Sequence, residues 1–203
     1  MTTRRQRTRM PRAERAAQIL DIAEQLFCER GYALATMDEL AERAGVSKPV
    51  IYDHFASKER LLLTLLARAR AELLDATVRS LAGHAEPREA LRAALLAFFR
   101  FIDDHRASWS ALNRESALLS GDAGREVEAL RAQQADVIAD FLHGGGLAAD
   151  PATAAAHAQI VIGAGERLAL WQEGHPELTA EAATDRMLAV LWHGLGTAAG
   201  SGA

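Results

Sequence analysis

The chain has 203 residues, 49% of them hydrophobic and 25% charged, with a formal net charge of −4, which allows one or two domains with a sizeable core. No apolar run approaches the ~20 residues of a membrane span, and Cys28, the only cysteine, excludes an internal disulfide. Abundant alanine and leucine with few aromatic or β-branched residues point to an all-α protein.

Residues 1–11 are polar, basic and without periodicity, and they read as a flexible arm. Arg4, Arg5, Arg7, Arg9, Arg12 and Arg15 stand there against Glu14 alone. The first 60 residues carry 11 Lys and Arg against 9 Asp and Glu, and the remainder 12 against 18, so the positive field is confined to the front of the chain. Glu14, Arg15 and Asp21 fall where a secretory signal needs an apolar stretch, so a cytoplasmic protein with no membrane partner is expected.

A first helix is predicted from about Arg12 to Arg30, with an apolar stripe at Ile19, Ile22/Ala23 and Leu26/Phe27 and a stop at Gly31. Thr36-Met37-Asp38-Glu39 reads as a capping box, the threonine hydroxyl taking the amide three residues on and the glutamate reaching back. The helix it opens, about Met37 to Ala44, would bury Met37, Leu40, Ala41 and Ala44. Gly45 turns the chain, Val46 packs inward, and Ser47 caps a third helix with Pro49 in its first turn and Ile51 and Phe55 inward. Ser57 caps a fourth helix running to about Leu81. Beyond Gly83 and Pro87, five further helices are expected near 87–104, 107–119, 123–143, 151–173 and 178–198, about nine in all. Asp150-Pro151 and Thr179 mark helix starts, and the stretch from Gly194 to Ala203 is expected to fray.

Two short capped helices joined by a glycine turn form a helix-turn-helix, whose second helix lies in the major groove of double-stranded DNA. With Ile51 and Phe55 inward, Lys48, Pro49, Val50, Tyr52 and Asp53 face out. Lys48 can donate to guanine, Pro49 and Val50 can touch thymine methyls, and Asp53 can accept from cytosine. Thr36 and Ser47, at helix N-termini, suit phosphates, as do Tyr52, His54 and Lys58. The chain's two lysines, Lys48 and Lys58, both lie in this region.

The run Gly45-Val46-Ser47-Lys48-Pro49-Val50-Ile51-Tyr52-Asp53-His54-Phe55-Ala56-Ser57-Lys58-Glu59-Arg60-Leu61-Leu62 resembles the signature of the tetracycline-repressor (TetR) family, and Leu26-Phe27, Gly31-Tyr32, Thr36-Met37, Leu40-Ala41 and Ala44-Gly45 upstream match it as well. The resemblance implies an all-α homodimer, with a three-helix DNA-binding domain (12–57) and a helical effector-binding and dimerisation domain (58–203). It further implies a repressor released from a pseudo-palindromic operator by a small molecule. By motif position Thr36, Ser47, Lys48, Pro49, Val50, Tyr52, His54 and Lys58 would contact DNA. Asp53 departs from uniform phosphate attraction and is left to read a base or face solvent.

In the C-terminal half, Ile160, Gly163, Ala164, Arg167, Leu168 and Trp171 on one helix, and Met187, Leu188, Leu191, Trp192 and Leu195 on another, suit a dimer surface, because small residues permit close approach and tryptophans anchor interfaces. Phe98, Phe101, His105, Trp109, Asn113, Gln133, Gln134, Phe141 and Ile162 are candidates for an apolar effector cavity with a few polar groups. The acidic balance of this half hints at a cationic ligand. Catalysis is not expected: Glu-x-x-His pairs and His-Glu-x-x-His are absent, the seven histidines lack ligand spacing, and the glycines from Gly194 to Gly200 depart from a dinucleotide fingerprint. No cofactor or metal is implied.

Overall fold

A computed structural model describes residues 10–105, 109, 121–172, 174, 175 and 177–200, with the side chains of 195–200 excepted. The basic arm up to residue 9, Asn113, the Leu195 side chain and nearly all of the helix expected near 107–119 lie outside the described residues. The described residues form eight helices and no strand. They divide into two compact units, the first ending at Leu65 and the second beginning at Leu66.

In the first unit, α1 (Arg12–Arg30) buries Ile19, Leu20, Ala23, Leu26 and Phe27, the stripe that its helical period requires. Gly31 ends it at φ 75°, a left-handed backbone that a side chain would strain, and its N–H donates to the Phe27 carbonyl. α2 (Met37–Ala44) buries Met37, Leu40, Ala41 and Ala44. The Glu39 amide donates to Thr36 Oγ1 at 3.1 Å, so half of the expected capping box forms. The other half does not, because the Glu39 carboxylate turns to Arg43 at 2.9 Å and Arg30 at 3.4 Å instead. Gly45, at φ 63°, closes α2 by donating to the Glu42 carbonyl, while the Val46 amide donates to Ala41.

α3 (Lys48–His54) follows at once. Ser47 holds the N-cap position in an extended conformation, yet its hydroxyl makes no capping hydrogen bond. A cap hydroxyl takes the amide of the second or third helical residue. Here the second is Pro49, which has no N–H, and the third, Val50, donates at 2.9 Å to the Ser47 backbone carbonyl. α4 (Lys58–Ala82) is opened by Ser57, whose hydroxyl accepts from the Arg60 amide at 3.0 Å, and Leu61, Leu62, Leu63, Leu65 and Leu66 are buried along its start.

The second unit contains α5 (Pro87–Asp104), α6 (Gly121–Gly144), α7 (Pro151–Gln172) and α8 (Ala180–Gly200), with α6 packed on α7 and α5 on α8. Its core gathers Leu73, Phe99, Ile102, Leu142, Ala158 and Leu178. Asp150 caps α7 by accepting the Thr153 amide at 2.9 Å and the Thr153 hydroxyl at 2.8 Å, and these bonds hold its carboxyl below the usual range. Thr179 Oγ1 accepts the Ala182 amide at 3.2 Å and caps α8. α8 continues to Gly200, past Gly194 and through Ala198 and Ala199, the best helix formers of that stretch. No helix among the described residues is long and apolar enough to cross a membrane.

Candidate DNA-binding surface and effector cavity

α3 presents one face to solvent and buries the other. Ile51 and Phe55 are buried, Lys48, Pro49, Tyr52 and Asp53 are exposed, and Val50 and His54 are half-buried at the margin. Thr36 and Ser47, exposed at the starts of α2 and α3, complete the set expected from the motif. Three contacts on this face were not foreseen. Lys48 Nζ lies 2.8 Å from Asp38 of α2, and that hydrogen bond raises the lysine above its ordinary pKa. Lys58 Nζ sits 4.3 Å from the centroid of the Tyr32 ring and 3.3 Å from the Ala33 carbonyl oxygen, to which it donates. Arg12 reaches from α1 to donate to the Asp53 backbone carbonyl at 2.7 Å. The signal for the first was present in the capping box itself: an acidic residue in the first turn of α2 faces the chain that follows the turn.

The second unit holds a cavity with about 580 Å³ of empty space, its mouth included. Arg70, Leu73, Thr77 and Leu81 of α4 line it, with Leu91, Ala94, Leu95 and Phe98 of α5, Gln134, Ile138 and Phe141 of α6, Val161, Ile162, Gly165 and Glu166 of α7, and Met187 of α8. Gly165 keeps the wall thin, since a Cβ there would lie 3.3 Å from Phe98 Cε1. Of the residues named from sequence, Phe98, Gln134, Phe141 and Ile162 line this space. Phe101, His105 and Trp109 do not. They pack on one another, with Phe101 stacked on His105 at 4.3 Å and edge-on to Trp109 at 5.9 Å. Gln133 does not either, because it faces solvent one position away from buried Gln134.

The cavity's polar groups were mostly missed. Arg70 is 7% exposed and donates to Glu166 at 3.4 Å, and Glu166 is also bonded by Arg131. Gln134 Nε2 donates to Thr77 Oγ1 at 2.8 Å. Arg70 was detectable in principle: it stands in register with Leu66, Leu73 and Thr77 on the inward stripe of α4, where a charge is out of place.

On the proposed dimer surface, Ile160 is 58% and Trp171 48% exposed on α7, with Gly163, Ala164 and Arg167 also exposed and Leu168 half-buried. Among the described side chains of α8, the exposed large apolar residue is Val190, at 76%, which sequence reasoning passed over. Leu191 and Trp192 are half-buried. Leu188 is corrected: at 2% exposed, and with Met187 buried beside it, it belongs to the core of its own chain and offers a partner nothing.

Residues 19–65 match the family model for bacterial regulatory proteins of the tetR family, and residues 87–194 match that for the tetracyclin repressor-like C-terminal domain. The chain belongs to the TetR family. It is 32% identical over 192 residues to the HTH-type transcriptional activator FasR of Mycolicibacterium smegmatis, a match covering 94% of this chain and 87% of that one. It is 35% identical over 94 residues to the HTH-type transcriptional repressor KstR2 of Mycobacterium tuberculosis, covering 46% of each. Its fold superimposes with a TM-score of 0.70 on the crystal structure of a TetR-like transcriptional regulator from Rhodococcus sp. RHA1, at 30% identity, over 93% of this chain and 99% of that one. The family and the all-α fold are those expected from the helix-turn-helix signature, and this TetR-family protein is a DNA-binding transcriptional regulator.

Proposed function

We propose that this regulator is a cytoplasmic homodimeric repressor, without catalytic activity, that leaves its operator when a small molecule enters the cavity of the second unit. The observation that carries the DNA reading is the two-faced α3, with Ile51 and Phe55 anchoring it while Lys48, Pro49 and Tyr52 stand free of the core. In this reading 12–57 is the DNA-binding domain, with Thr36, Ser47, Lys48, Pro49, Val50, Tyr52, His54 and Lys58 as its contacts, and 58–203 binds effector and partner. α4 carries Lys58 at its start and Arg70, Leu73 and Thr77 on the cavity wall, which makes it the element through which an effector shifts the DNA-binding residues. The effector can move the equilibrium only by its difference in affinity for the two states. Two recognition helices one helical turn of DNA apart, ~34–36 Å, require a dimer, and the exposed face of α7 with Val190 of α8 suits it.

A second reading, activation, is favoured by the similarity to the transcriptional activator FasR. Recovery of bound genomic DNA, followed by a gel shift and a promoter fusion in a deletion strain, tests both readings. Loss of the protein raises transcription from the bound promoter under repression and lowers it under activation. Absence of any salt-sensitive DNA binding rejects both.

A further inference from the structure

The chemistry of the cavity wall restricts what can occupy it, and this inference rests on the cavity being the effector site. Most of the lining is aliphatic or aromatic, which calls for an apolar ligand body. Two polar pairs interrupt it, and they differ in what they leave unmet. In the first, Gln134 donates to the Thr77 hydroxyl, which itself donates to the Leu73 carbonyl at 2.9 Å, so this pair is largely closed on itself. In the second, the buried Arg70 shares the single carboxylate of Glu166 with Arg131, and Arg70 Nε is buried with no hydrogen-bond partner among the described residues. Glu128 acts on Arg70 only through space, from an exposed position. The ring of Trp109, 5.7 Å from the guanidinium carbon, contributes a cation–π contact but no acceptor oxygen.

A buried guanidinium with an unmet donor is costly until an acceptor meets it, and a charged acceptor meets it best. We infer that the cavity takes a carboxylate with an apolar body, its anionic end bound by the guanidinium of Arg70 and its chain lying along Phe98, Phe141 and Ile162. Burial, the largest influence on Arg70, holds the guanidinium below its ordinary pKa; Glu166 offsets this only in part and Arg131 adds to it. A bound anion supplies the missing compensation. This differs from the cationic ligand suggested by the acidic C-terminal half: the more deeply buried charge on the cavity wall is that of Arg70, and the Glu166 carboxylate beside it is already bonded by Arg70 and Arg131.

Titration calorimetry of the full-length protein with octanoate, 1-octanol and octylamine tests this. Octanoate is expected to bind at least about tenfold more tightly than 1-octanol, a preference of the size of one hydrogen bond to a charged group, and octylamine to bind weakest. Arg70→Met should erase the preference for octanoate over 1-octanol. Glu166→Gln, which removes the competing carboxylate and keeps the side chain's shape, should sharpen the preference several-fold, and it reports independently if Arg70→Met does not fold. Gly165→Val fills the space against Phe98 and should abolish binding of octanoate and 1-octanol alike. Equal binding of octanoate and 1-octanol, no binding of octanoate, or a preference that survives Arg70→Met overturns the carboxylate. If 1-octanol binds as well as octanoate and Gly165→Val blocks both, the cavity stands and only the anion is rejected. Ligand binding indifferent to Gly165→Val rejects the cavity itself.

Discussion

Lys48 on α3 is already paired, 2.8 Å from Asp38 on α2, before any DNA arrives. If Lys48 reads a guanine, as proposed, it must leave a carboxylate that would itself repel the DNA. Both side chains are largely exposed, so solvent screening leaves the pair weak. Asp38→Asn is expected to raise DNA affinity about two- to fivefold at low salt, an advantage that shrinks as salt screens it. Fluorescence anisotropy with a labelled operator at several salt concentrations measures this. Weaker binding by the variant would mean that Asp38 positions Lys48 rather than restrains it.

The two lysines differ in how they are held, and their losses should differ accordingly. Lys58 is braced on the Tyr32 ring and the Ala33 carbonyl, a fixed point charge suited to a phosphate, whereas Lys48 lies on the exposed face of α3. Lys58→Ala should weaken binding to all sequences alike and lower the salt slope by about one. Lys48→Ala should cost about 1–3 kcal/mol on the preferred operator and relax selection at one base pair. Tyr32→Leu should reproduce part of the Lys58 loss without touching a lysine. Binding to a set of single-base operator variants separates these patterns, and equal behaviour of the two alanine variants would reject the division of roles.

Thr36 and Ser47 hold the same N-cap position on consecutive helices, yet only Thr36 uses its hydroxyl there. Thr36→Ala should destabilise the protein by about 1 kcal/mol. Ser47→Ala should leave stability within about 0.5 kcal/mol, because Pro49 has no amide to give and Val50 already donates to the Ser47 carbonyl. If Ser47 serves the DNA backbone, its loss appears instead in operator affinity. Chemical denaturation read beside anisotropy distinguishes a stability effect from a binding effect.

The first unit was legible because its determinants are local. Gly31 and Gly45 occupy left-handed turns, Thr36 and Ser57 cap through amides three residues away, and the inward spacing of Ile51 and Phe55 leaves only one face of α3 for a partner. The cavity was half legible. Phe98, Gln134, Phe141 and Ile162 were found as apolar or amide positions on long helices, but which face of each helix meets the others depends on packing that no short window contains. Gln133 and Gln134 show the limit: adjacent and chemically identical, one is exposed and the other bonded to Thr77, 57 positions away. Leu188 shows the same limit at the dimer surface, where periodicity distinguishes an apolar face from a polar one but not a core face from an interface.

That last ambiguity yields its own test. Trp171 lies stacked on His175, with ring centroids 3.6 Å apart, and remains 48% exposed, while Leu188 is enclosed. If α7 and α8 meet a partner, a charge at Trp171 faces the apolar side of the second copy, unpaired and desolvated, at a site where a single chain folds without strain. Trp171→Glu should therefore sediment as a monomer with an unchanged helical spectrum and lose two-site operator binding, keeping only weak, salt-sensitive attachment. Leu188→Ala should do the reverse, costing about 2–5 kcal/mol of stability through the cavity it leaves while the surviving folded protein still dimerises. Sedimentation equilibrium and thermal unfolding of both variants decide it. A Trp171→Glu protein that stays dimeric would place the partner on another face, and Val190→Glu, on the neighbouring helix, would then leave the dimer intact as well.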